Sequence, residues 1–471
     1  MNLYVENFME FIALIFVTYM LLYTTYLFLS VLFGAVQLYE NDQMIKLHNE
    51  IKHNYYLPIS IIIPAYNEEV TIVDNIKSLL HLDYKLYEII IVDDGSTDET
   101  SKRLLDFFPF QQTIRPIQRK IKCKKEEVIY EATINDINIT LIRKINGGKS
   151  DALNMGINLS SYPYFVTVDA DSSLQKNALK KIIQPILIDE EIIAVGGMVR
   201  VAQCVEMTDA EVYDYRMPWR PIIGMQVMEY DRSFLASRIL LDQFNGNLII
   251  SGAFGLFKKD VVIAVGGYKT DTIGEDMELV MRLHTFMMNN KHSYKIRYHP
   301  DAICWSQSPE SFRDIATQRR RWHLGLFQSL TSYPMMISRF RYKPVSFVSY
   351  LYYWIFEMLG PFIEVLGVST IILAFYFDLL NVPFMINLFL IYTSYGVLLS
   401  LTSFFQRVYT QGLTLHVLDI VKAIIMVILE NAIYRYILSF IRVTSLIGYK
   451  KKKHMWGSIN RQKQSNHSSS I

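Results

Sequence analysis

The chain is poor in cysteine, and the three that it has are far apart. Cys123, Cys204 and Cys304 show none of the spacings of a cysteine metal site. Together with a cytoplasmic domain, this predicts reduced thiols. The net charge is only +2 over 471 residues, so charge indicates little about partners, and we expect no nucleic acid among them. Internal repeats are also missing, and the single low-complexity stretch follows Arg461.

Charged side chains are missing from two long stretches, residues 11–39 and 379–406. About 20 apolar residues are enough for a helix to cross the hydrocarbon core of a membrane. The first stretch has no basic flank before it and no small-residue cleavage site after it, so we predict that residues 1–40 are a transmembrane anchor. Residues 346–410 are predicted to form two further transmembrane helices.

The apolar segment before the second stretch carries Glu357 and Glu364, which share a helix face because they are seven residues apart. Such carboxylates usually face a polar interior, although a position at the headgroup level fits equally well. Residues 411–450 are predicted to form a third apolar helix, transmembrane or interfacial. The four lysines at 450–453 predict a cytoplasmic end that contacts anionic lipids. Residues 451–471 are predicted to be a basic, partly disordered tail.

Residues 41–308 alternate between apolar runs and helical patterns, which predicts a parallel α/β sheet. In such sheets ligands bind outside the carboxyl ends of the strands. One predicted strand, 88–92, ends in Asp93-Asp94-Gly95, and another, 164–168, ends in Asp169-Ala170-Asp171. Residues 110–138 are polar, basic and weakly patterned, and we predict that they are a surface insertion.

Two acidic turns are the first candidates for ligand binding. Asp169 and Asp171 point to the same side of an extended tip and suit Mg²⁺ or Mn²⁺ bridging a diphosphate. This pattern is weak by itself, because most such turns are simply solvated. Asp93 and Asp94 could hold ribose, base and metal, or form a plain turn that caps the next helix, and we expect both roles.

Later polar positions add donors for phosphate and sugar. Lys149 follows two glycines at a helix start and offers a cation to phosphate, but the first glycine of a Walker sequence is missing. We predict that Asp276 is a general base. Glu275 lies in the same first helical turn, where we expect its charge to interact favourably with the helix dipole. Ser251 and Gly252 open a glycine-containing stretch that either lets a sugar lie flat or makes a tight sheet bend.

Residues 309–345 contain Gln318-Arg319-Arg320-Arg321-Trp322 at the junction with the membrane segments. Arg321 can bind two diphosphate oxygens, and Trp322 can stack on a pyranose ring. The alternative is a basic, aromatic helix that lies on lipid headgroups, which we expect for Arg319 and Arg320.

As a set, six motifs resemble the membrane-embedded family 2 glycosyltransferases, which are processive synthases of polymers such as poly-N-acetylglucosamine, cellulose and hyaluronan. They are Pro64-Ala65-Tyr66-Asn67-Glu68-Glu69, Asp93-Asp94-Gly95, Gly148-Lys149, Asp169-x-Asp171, Gly274-Glu275-Asp276 and Gln318-x-x-Arg321-Trp322. The resemblance implies an α/β GT-A-type domain, with a Rossmann-like mixed sheet, on the cytoplasmic side of the cell membrane. That domain would be joined to transmembrane and interfacial α-helices in a multi-pass protein.

The resemblance also implies an inverting transfer from a UDP-sugar, by likeness UDP-N-acetylglucosamine or UDP-glucose, to a growing β-linked glycan. Asp171 and Asp169 would hold the metal, Asp276 with Glu275 would be catalytic, and Trp322, Gly252 and Ser251 would bind the acceptor. The nucleotide-sugar would contact Pro64, Tyr66, Glu68, Asp93, Asp94, Lys149, Asp169, Gln318 and Arg321.

Two departures from the family pattern and two other functions stay open. Glycine replaces the more usual threonine at Gly274, and fewer crossings follow the catalytic domain than in cellulose synthase. An accessory membrane subunit or a second copy could therefore supply a missing wall of the polymer channel. The chain could instead add one sugar to a membrane lipid. A catalytically inactive scaffold is disfavoured, because every acid that the chemistry requires is present.

Overall fold

The computed structural model describes residues 3–48, 56–338, 345–410 and 413–447. Its strands are β1 (Ile59–Ala65), β2 (Tyr87–Asp93), β3 (Gln111–Thr113), β4 (Glu126–Ile134), β5 (Ile137–Lys144), β6 (Tyr164–Val168), β7 (Ser172–Leu174), β8 (Ile192–Val201), β9 (Val205–Thr208), β10 (Glu211–Tyr215), β11 (Phe254–Lys258) and β12 (Lys295–Ser306).

The helices of these ranges are α1 (Leu3–His48), α2 (Ile72–Leu79), α3 (Thr100–Phe107), α4 (Lys149–Leu159), α5 (Ala178–Ile188), α6 (Pro221–Arg232), α7 (Arg238–Asp242), α8 (Lys259–Ala264), α9 (Glu275–Asn289), α10 (Phe312–Ser332), α11 (Met335–Ser338), α12 (Gly360–Tyr376), α13 (Val382–Thr410), α14 (Val417–Leu429) and α15 (Arg435–Ser445). Wider π-type turns cover Ser233–Ser237, Val345–Tyr350, Tyr353–Met358 and Glu430–Tyr434, and a short 3₁₀ turn covers Ala202–Cys204.

Ten strands form one mixed sheet in the order β3-β4-β5-β2-β1-β6-β11-β8-β12-β7. Strands β5, β2, β1 and β6 run parallel, and β12 runs parallel to β8. Strand β11 is antiparallel to both of its neighbours, and β9 pairs with β10 in a separate sheet. The loops that follow β1, β2, β5 and β6 therefore open at one edge of the large sheet.

Helices cover both faces of this sheet, which explains why its inner strands are almost wholly apolar. On one face Ile61 and Ile63 pack in a core with residues of α2 and α5. On the other, Ile62 packs with residues of α4 and α9. Burying a side chain of this size contributes about 1.5–3 kcal/mol, so the layers hold the edge loops on a rigid base.

The segment 110–138 is not the surface insertion that its sequence predicts. Strands β3 and β4 extend the sheet at its edge, and β4 pairs antiparallel with β5 along its length. In β4 only Ile129 and Ala132 are buried, because β4 lies next to the sheet edge and the outermost strand β3 pairs with only three of its residues. Half-exposed strands carry polar residues, and this composition made β4 hard to predict from the sequence.

Three helices are long and apolar enough to cross a membrane: Asn7–Glu40, Val348–Tyr376 and Val382–Tyr409, within the described ranges. They cover the residues predicted to form the anchor and the two later crossings, and the crossings themselves stay predictions. Helix α1 continues unbroken to His48, past the predicted boundary at residue 40. The helical run from α14 to α15 carries several charges and is not among the three, so its crossing stays a prediction. The predicted tail lies outside the described residues.

The charges of the apolar segments pair with one another. Glu364 of α12 accepts from Arg435 and from Ser439 Oγ of α15, and Glu357 lies 3.9 Å from Arg442 of α15. Both carboxylates face one antiparallel helix, because the two arginines are also seven residues apart. The prediction that Glu357 and Glu364 share a face is confirmed, and Glu364 is buried by protein. Paired burial is the usual state of charges at membrane depth.

Candidate active site

The candidate site lies where several loops leave the same edge of the sheet. Strand β11 begins there too, since Phe254 pairs with Val168, the last residue of β6. A Cβ on Gly252, just before β11, would lie 3.2 Å from Lys149 Nζ and 3.8 Å from Asp276 Cβ. Gly252, Lys149 and Asp276 therefore share one small space, where glycine keeps room beside the two charged groups.

Lys149 is the centre of this cluster. Its Nζ lies 2.5 Å from Asp169 Oδ1 and 3.8 Å from Glu275 Oε1. Although burial lowers it, the pKa of Lys149 is raised overall, because Asp169 and Glu275 favour the charged form. The amine sits at the first residue of α4, where the helix dipole also favours anions. A phosphate entering here would meet a fixed cation and a helix N-terminus.

Glu275 and Asp276 open helix α9 beside Lys149. Burial raises the pKa of Glu275 to about 7, with Lys149 opposing the shift and Asp276 adding to it. Arg321 is close enough to lower the same pKa. Asp276 is only half-buried, and its Oδ1 accepts from the N–H of Met277, while the carboxylate borders Gly252. Asp276 is thus the more accessible of the two acids.

The Asp93-Asp94 turn is closed by its own partners. Asp94 accepts the N–H groups of Gly147 (3.0 Å) and Gly148 (2.6 Å) and pairs with the buried Lys144. Asp93 accepts from the N–H of Ser96 and is fully buried. Burial raises the pKa of Asp94, against Lys144 and the two N–H groups. In the structure this turn anchors the loop before α4, and its predicted contact with nucleotide stays a prediction.

The loop after β1 is tied to the same turn. The side chain of Asn67 accepts the N–H of Thr97, while Glu68 accepts the hydroxyl of Thr71. Pro64 is half-buried near the end of β1, and Tyr66 is 49% exposed. An exposed ring at the sheet edge is available to stack on the base of a nucleotide. No contact in the structure tests the roles predicted for Pro64, Tyr66 and Glu68.

Asp171 and Asp169 are the candidate metal ligands. Asp171 is 6% exposed and accepts from Ser172 Oγ at 3.2 Å, while Asp169 is held by Lys149. Within the described ranges, no group of three His, Cys, Asp or Glu residues could hold an ion. Magnesium commonly takes one or two carboxylates and completes its shell with substrate phosphates and water. This donor set therefore fits an ion that a diphosphate helps to bind.

Helix α10 follows β12 and carries Gln318, Arg321 and Trp322, of which Arg321 is close enough to Glu275 to lower its pKa. Gln318 is 91% buried, and its Oε1 has no hydrogen-bond partner within the described part of the chain. Buried acceptors are nearly always satisfied, so this atom fits a donor from a bound molecule. Ser251 is half-buried in the turn before β11, and its Oγ accepts from the N–H of Ala253 at 3.4 Å.

The sequence context of Arg319 predicts a position against lipid headgroups. The structure shows instead that Arg319 is buried by protein. It is 2% exposed and bonds both carboxylate oxygens of Glu229 on α6, at 2.8 and 2.7 Å. Its guanidinium lies 4.5 Å from the ring centre of Trp322. A buried charge requires such a partner, and the sequence offers no sign of one 90 residues upstream. Arg320 is exposed, and its Nε donates to Thr444.

A pair of glycines joins α10 to the start of α9. A Cβ on Gly274 would lie 3.0 Å from Gly325 Cα, and one on Gly325 would lie 2.9 Å from Gly274 Cα. The backbones therefore touch, with no room for a side chain. The departure from threonine at Gly274 is explained here by this contact.

Comparison with known proteins decides the family. The family described as "Glycosyl transferase family 2" matches residues 60–265, and "Glycosyl transferase family group 2" matches residues 164–441, more than half of the chain. The chain belongs to glycosyl transferase family group 2. This family 2 glycosyltransferase has the α/β GT-A-type class that its sequence predicts, and three helices of its described residues are long and apolar enough to cross a membrane.

Curated relatives of this glycosyltransferase include two bacterial polysaccharide synthases. A poly-beta-1,6-N-acetyl-D-glucosamine synthase of Staphylococcus aureus (strain COL) is 32% identical over 270 residues, 57% of this chain and 54% of the relative. That of Staphylococcus epidermidis is 31% identical over 277 residues, 58% of this chain and 56% of the relative. The chain thus spans about half the length of the curated relatives that it matches.

A solved structure with a similar arrangement is a mannosyltransferase of Pyrobaculum calidifontis, in complex with GDP-Man and Mn2+. It is 17% identical, with a TM-score of 0.49, over 86% of this chain and 99% of the other. The likeness is too low to assign residue roles.

Proposed function

We propose that this chain is an inverting hexosyltransferase of the cell membrane, which extends a β-linked polysaccharide with sugar from a UDP-sugar. The observation that carries the proposal is the cluster of Lys149, Asp169, Glu275 and Asp276 beside Gly252 at one sheet edge. It combines a fixed cation for a diphosphate with an accessible carboxylate for proton transfer. The curated relatives favour UDP-N-acetylglucosamine as donor and a β-1,6-linked glycan as product.

Each group has a defined part in this reaction. Asp276 accepts the proton of the acceptor hydroxyl while that oxygen attacks the anomeric carbon and UDP leaves. Lys149 and Arg321 oppose the negative charge that grows on the diphosphate, and Gln318 Oε1 accepts a donor of the nucleotide-sugar. Trp322 provides a flat surface for the acceptor sugar.

A divalent ion, Mg²⁺ or Mn²⁺, would be held by Asp171 with Asp169 and would neutralise charge on the two phosphates. Lys149 pairs with Asp169, so part of the charge of that carboxylate is already neutralised before an ion binds. The two carboxylates and the substrate oxygens together make the ligand set, which ties metal binding to donor binding.

The proposed arrangement is multi-pass with a cytoplasmic catalytic domain. Three candidate crossings support it, and the basic end at residues 450–453 favours the cytoplasmic side. An accessory membrane subunit or a second copy would complete a channel for the glycan.

The test is to incubate membranes containing the full chain with a panel of labelled UDP-sugars, with and without Mn²⁺. We expect UDP release from UDP-N-acetylglucosamine or UDP-glucose and a polymer that a matching glycan hydrolase digests. A short β-1,6-linked N-acetylglucosamine oligosaccharide serves as the acceptor when initiation is slow. A labelled product that is extracted into organic solvent would instead identify a lipid acceptor and overturn the polymer proposal.

A further inference from the structure

Trp322 packs against charged and aromatic side chains that have no role in the proposed reaction. Arg319 and Trp322 are three residues apart on α10, so their side chains are neighbours on one helix face. The guanidinium of Arg319 covers part of the indole at 4.5 Å from its ring centre. Trp322 nevertheless remains 43% exposed, so a large part of its surface is free for a sugar.

Helix α6 supplies two consecutive residues to this arrangement. Glu229 binds Arg319 through both carboxylate oxygens, and the ring of Tyr230 lies 6.4 Å from that of Trp322 at an angle of 34°. Burial raises the pKa of Tyr230 to about 12, with Arg319 opposing the shift and Glu229 and Asp171 adding to it. Helix α6 therefore contacts both the indole of Trp322 and the arginine that packs on it.

We propose that Glu229 positions Trp322: by holding Arg319 against the indole, it fixes the surface on which the acceptor sugar stacks. The role of the indole as acceptor surface rests on the proposed function, whereas its placement by Glu229 does not.

The energetics favour a positioning role over simple surface pairing. Arg319 is almost fully buried, so without the Glu229 carboxylate its charge would be unpaired in a poorly solvated place. The guanidinium would then move toward water, and the indole would lose the cation that packs on it. Arg442 of α15 lies 3.8 Å from Glu229 and 3.9 Å from Glu357, which ties the same carboxylate to the membrane helices.

The chain offers a matched control on the same helix. Asp231 pairs with Arg407, whose guanidinium lies 4.8 Å from the ring centres of both Tyr215 and Phe404. This is again a buried carboxylate that holds an arginine against aromatic rings. Residues two apart on a helix do not face each other, so Asp231 points away from the side of α6 that carries Glu229.

The first experiment follows the indole itself. The full chain is labelled with 5-fluorotryptophan, purified in detergent, and examined by ¹⁹F NMR, with the Trp322 signal assigned from Trp322→Phe. We expect Glu229→Gln to move the Trp322 signal and to leave those of the other tryptophans unchanged. Asp231→Asn should leave the Trp322 signal in place. An unchanged signal in Glu229→Gln would overturn the proposal.

The second experiment measures what the position of Trp322 does. Glu229→Gln should raise the KM for the acceptor oligosaccharide about tenfold, the effect of losing one well-desolvated cation–π contact. The KM for the UDP-sugar and the UDP release without acceptor should change little. Asp231→Asn should leave the acceptor KM unchanged even where it lowers thermal stability. Equal changes of donor and acceptor KM in Glu229→Gln would overturn the positioning role.

Arg319→Lys gives a second route if Glu229→Gln does not fold. Lysine keeps the charge but loses the two-point bond to Glu229 and the flat contact with the indole. It should therefore move the same fluorine signal and raise the same KM. The fluorine signal requires no turnover. A wild-type chain that releases no UDP from any sugar would overturn the proposed function, while a shifted signal would still support the placement of Trp322 by Glu229.

Discussion

The turns after β2 and β6 both end strands in acidic residues at the same edge of the sheet, but they are used differently. Both Asp94 oxygens are taken by Lys144 and by the N–H groups of the next loop. At the other turn, Asp169 pairs with Lys149, and Asp171 accepts from Ser172 Oγ. We infer that Asp94, with donors on both carboxylate oxygens, is an anchor, whereas the acids beside the Lys149 cluster are the candidates for binding a substrate.

The largest expected effect tests the cluster of Lys149, Asp169, Glu275 and Asp276. Asp276→Asn should lower sugar transfer by about 10²- to 10⁴-fold, because the acceptor hydroxyl loses the group that takes its proton. UDP affinity, measured by calorimetry on the detergent-purified chain, should stay close to the wild-type value. Asp271→Asn is the matched control, since Asp271 is exposed and lies just before the same helix. Turnover that survives in Asp276→Asn would contradict the assignment of the base.

The next effect compares the two turns directly. Asp94→Asn should lower the free energy of unfolding by about 1–3 kcal/mol, because buried donors lose a charged acceptor. Asp171→Asn should instead raise the Mn²⁺ concentration for half-maximal UDP release by about tenfold or more, with a smaller change in thermal unfolding. The two variants are compared by thermal melts and by metal titrations of UDP release. If Asp94→Asn shifts the metal requirement while Asp171→Asn shifts only stability, the roles of the turns are reversed.

The smallest expected effect concerns Glu275, the most buried acid of the open cluster. Its pKa is raised from 4.5 to about 7. The folded state therefore binds the proton more tightly than the unfolded state, so stability falls as pH rises from about 4.5 to about 7. Glu275→Gln should flatten this slope in pH-dependent melts. An equal slope in both proteins would show that Glu275 does not titrate there.

The sequence could predict the alternation of the sheet and the edge at which its acids meet, because both follow from apolar runs that end in acidic turns. It could also predict that Glu357 and Glu364 share a helix face, because a spacing of seven is a local property. Local patterns carried no information on β4, whose outer face is polar, and they hid the partner of Arg319, which lies on a distant helix.

The same limit applies within the site. Asp94 and Asp171 look alike as sequence motifs, and their difference depends on Lys144 and on two backbone N–H groups that approach through the fold. Gln318 was found by its motif, but that its acceptor atom is buried and unsatisfied within the described residues required the three-dimensional structure. The contacts of Glu229 and Tyr230 with α10 depend on the packing of two distant helices, which the sequence does not show.

The contact between Gly274 and Gly325 has a consequence for how such an enzyme can change. Helix α9, which carries the proposed base Asp276, and helix α10, which carries the proposed acceptor surface Trp322, touch through bare backbone, so a shift of one helix would move the other. A side chain gained at either glycine would push helices α9 and α10 apart unless one of them moved. Variation at these two sites should therefore be linked, and donor or acceptor preference would evolve more readily through the surrounding loops.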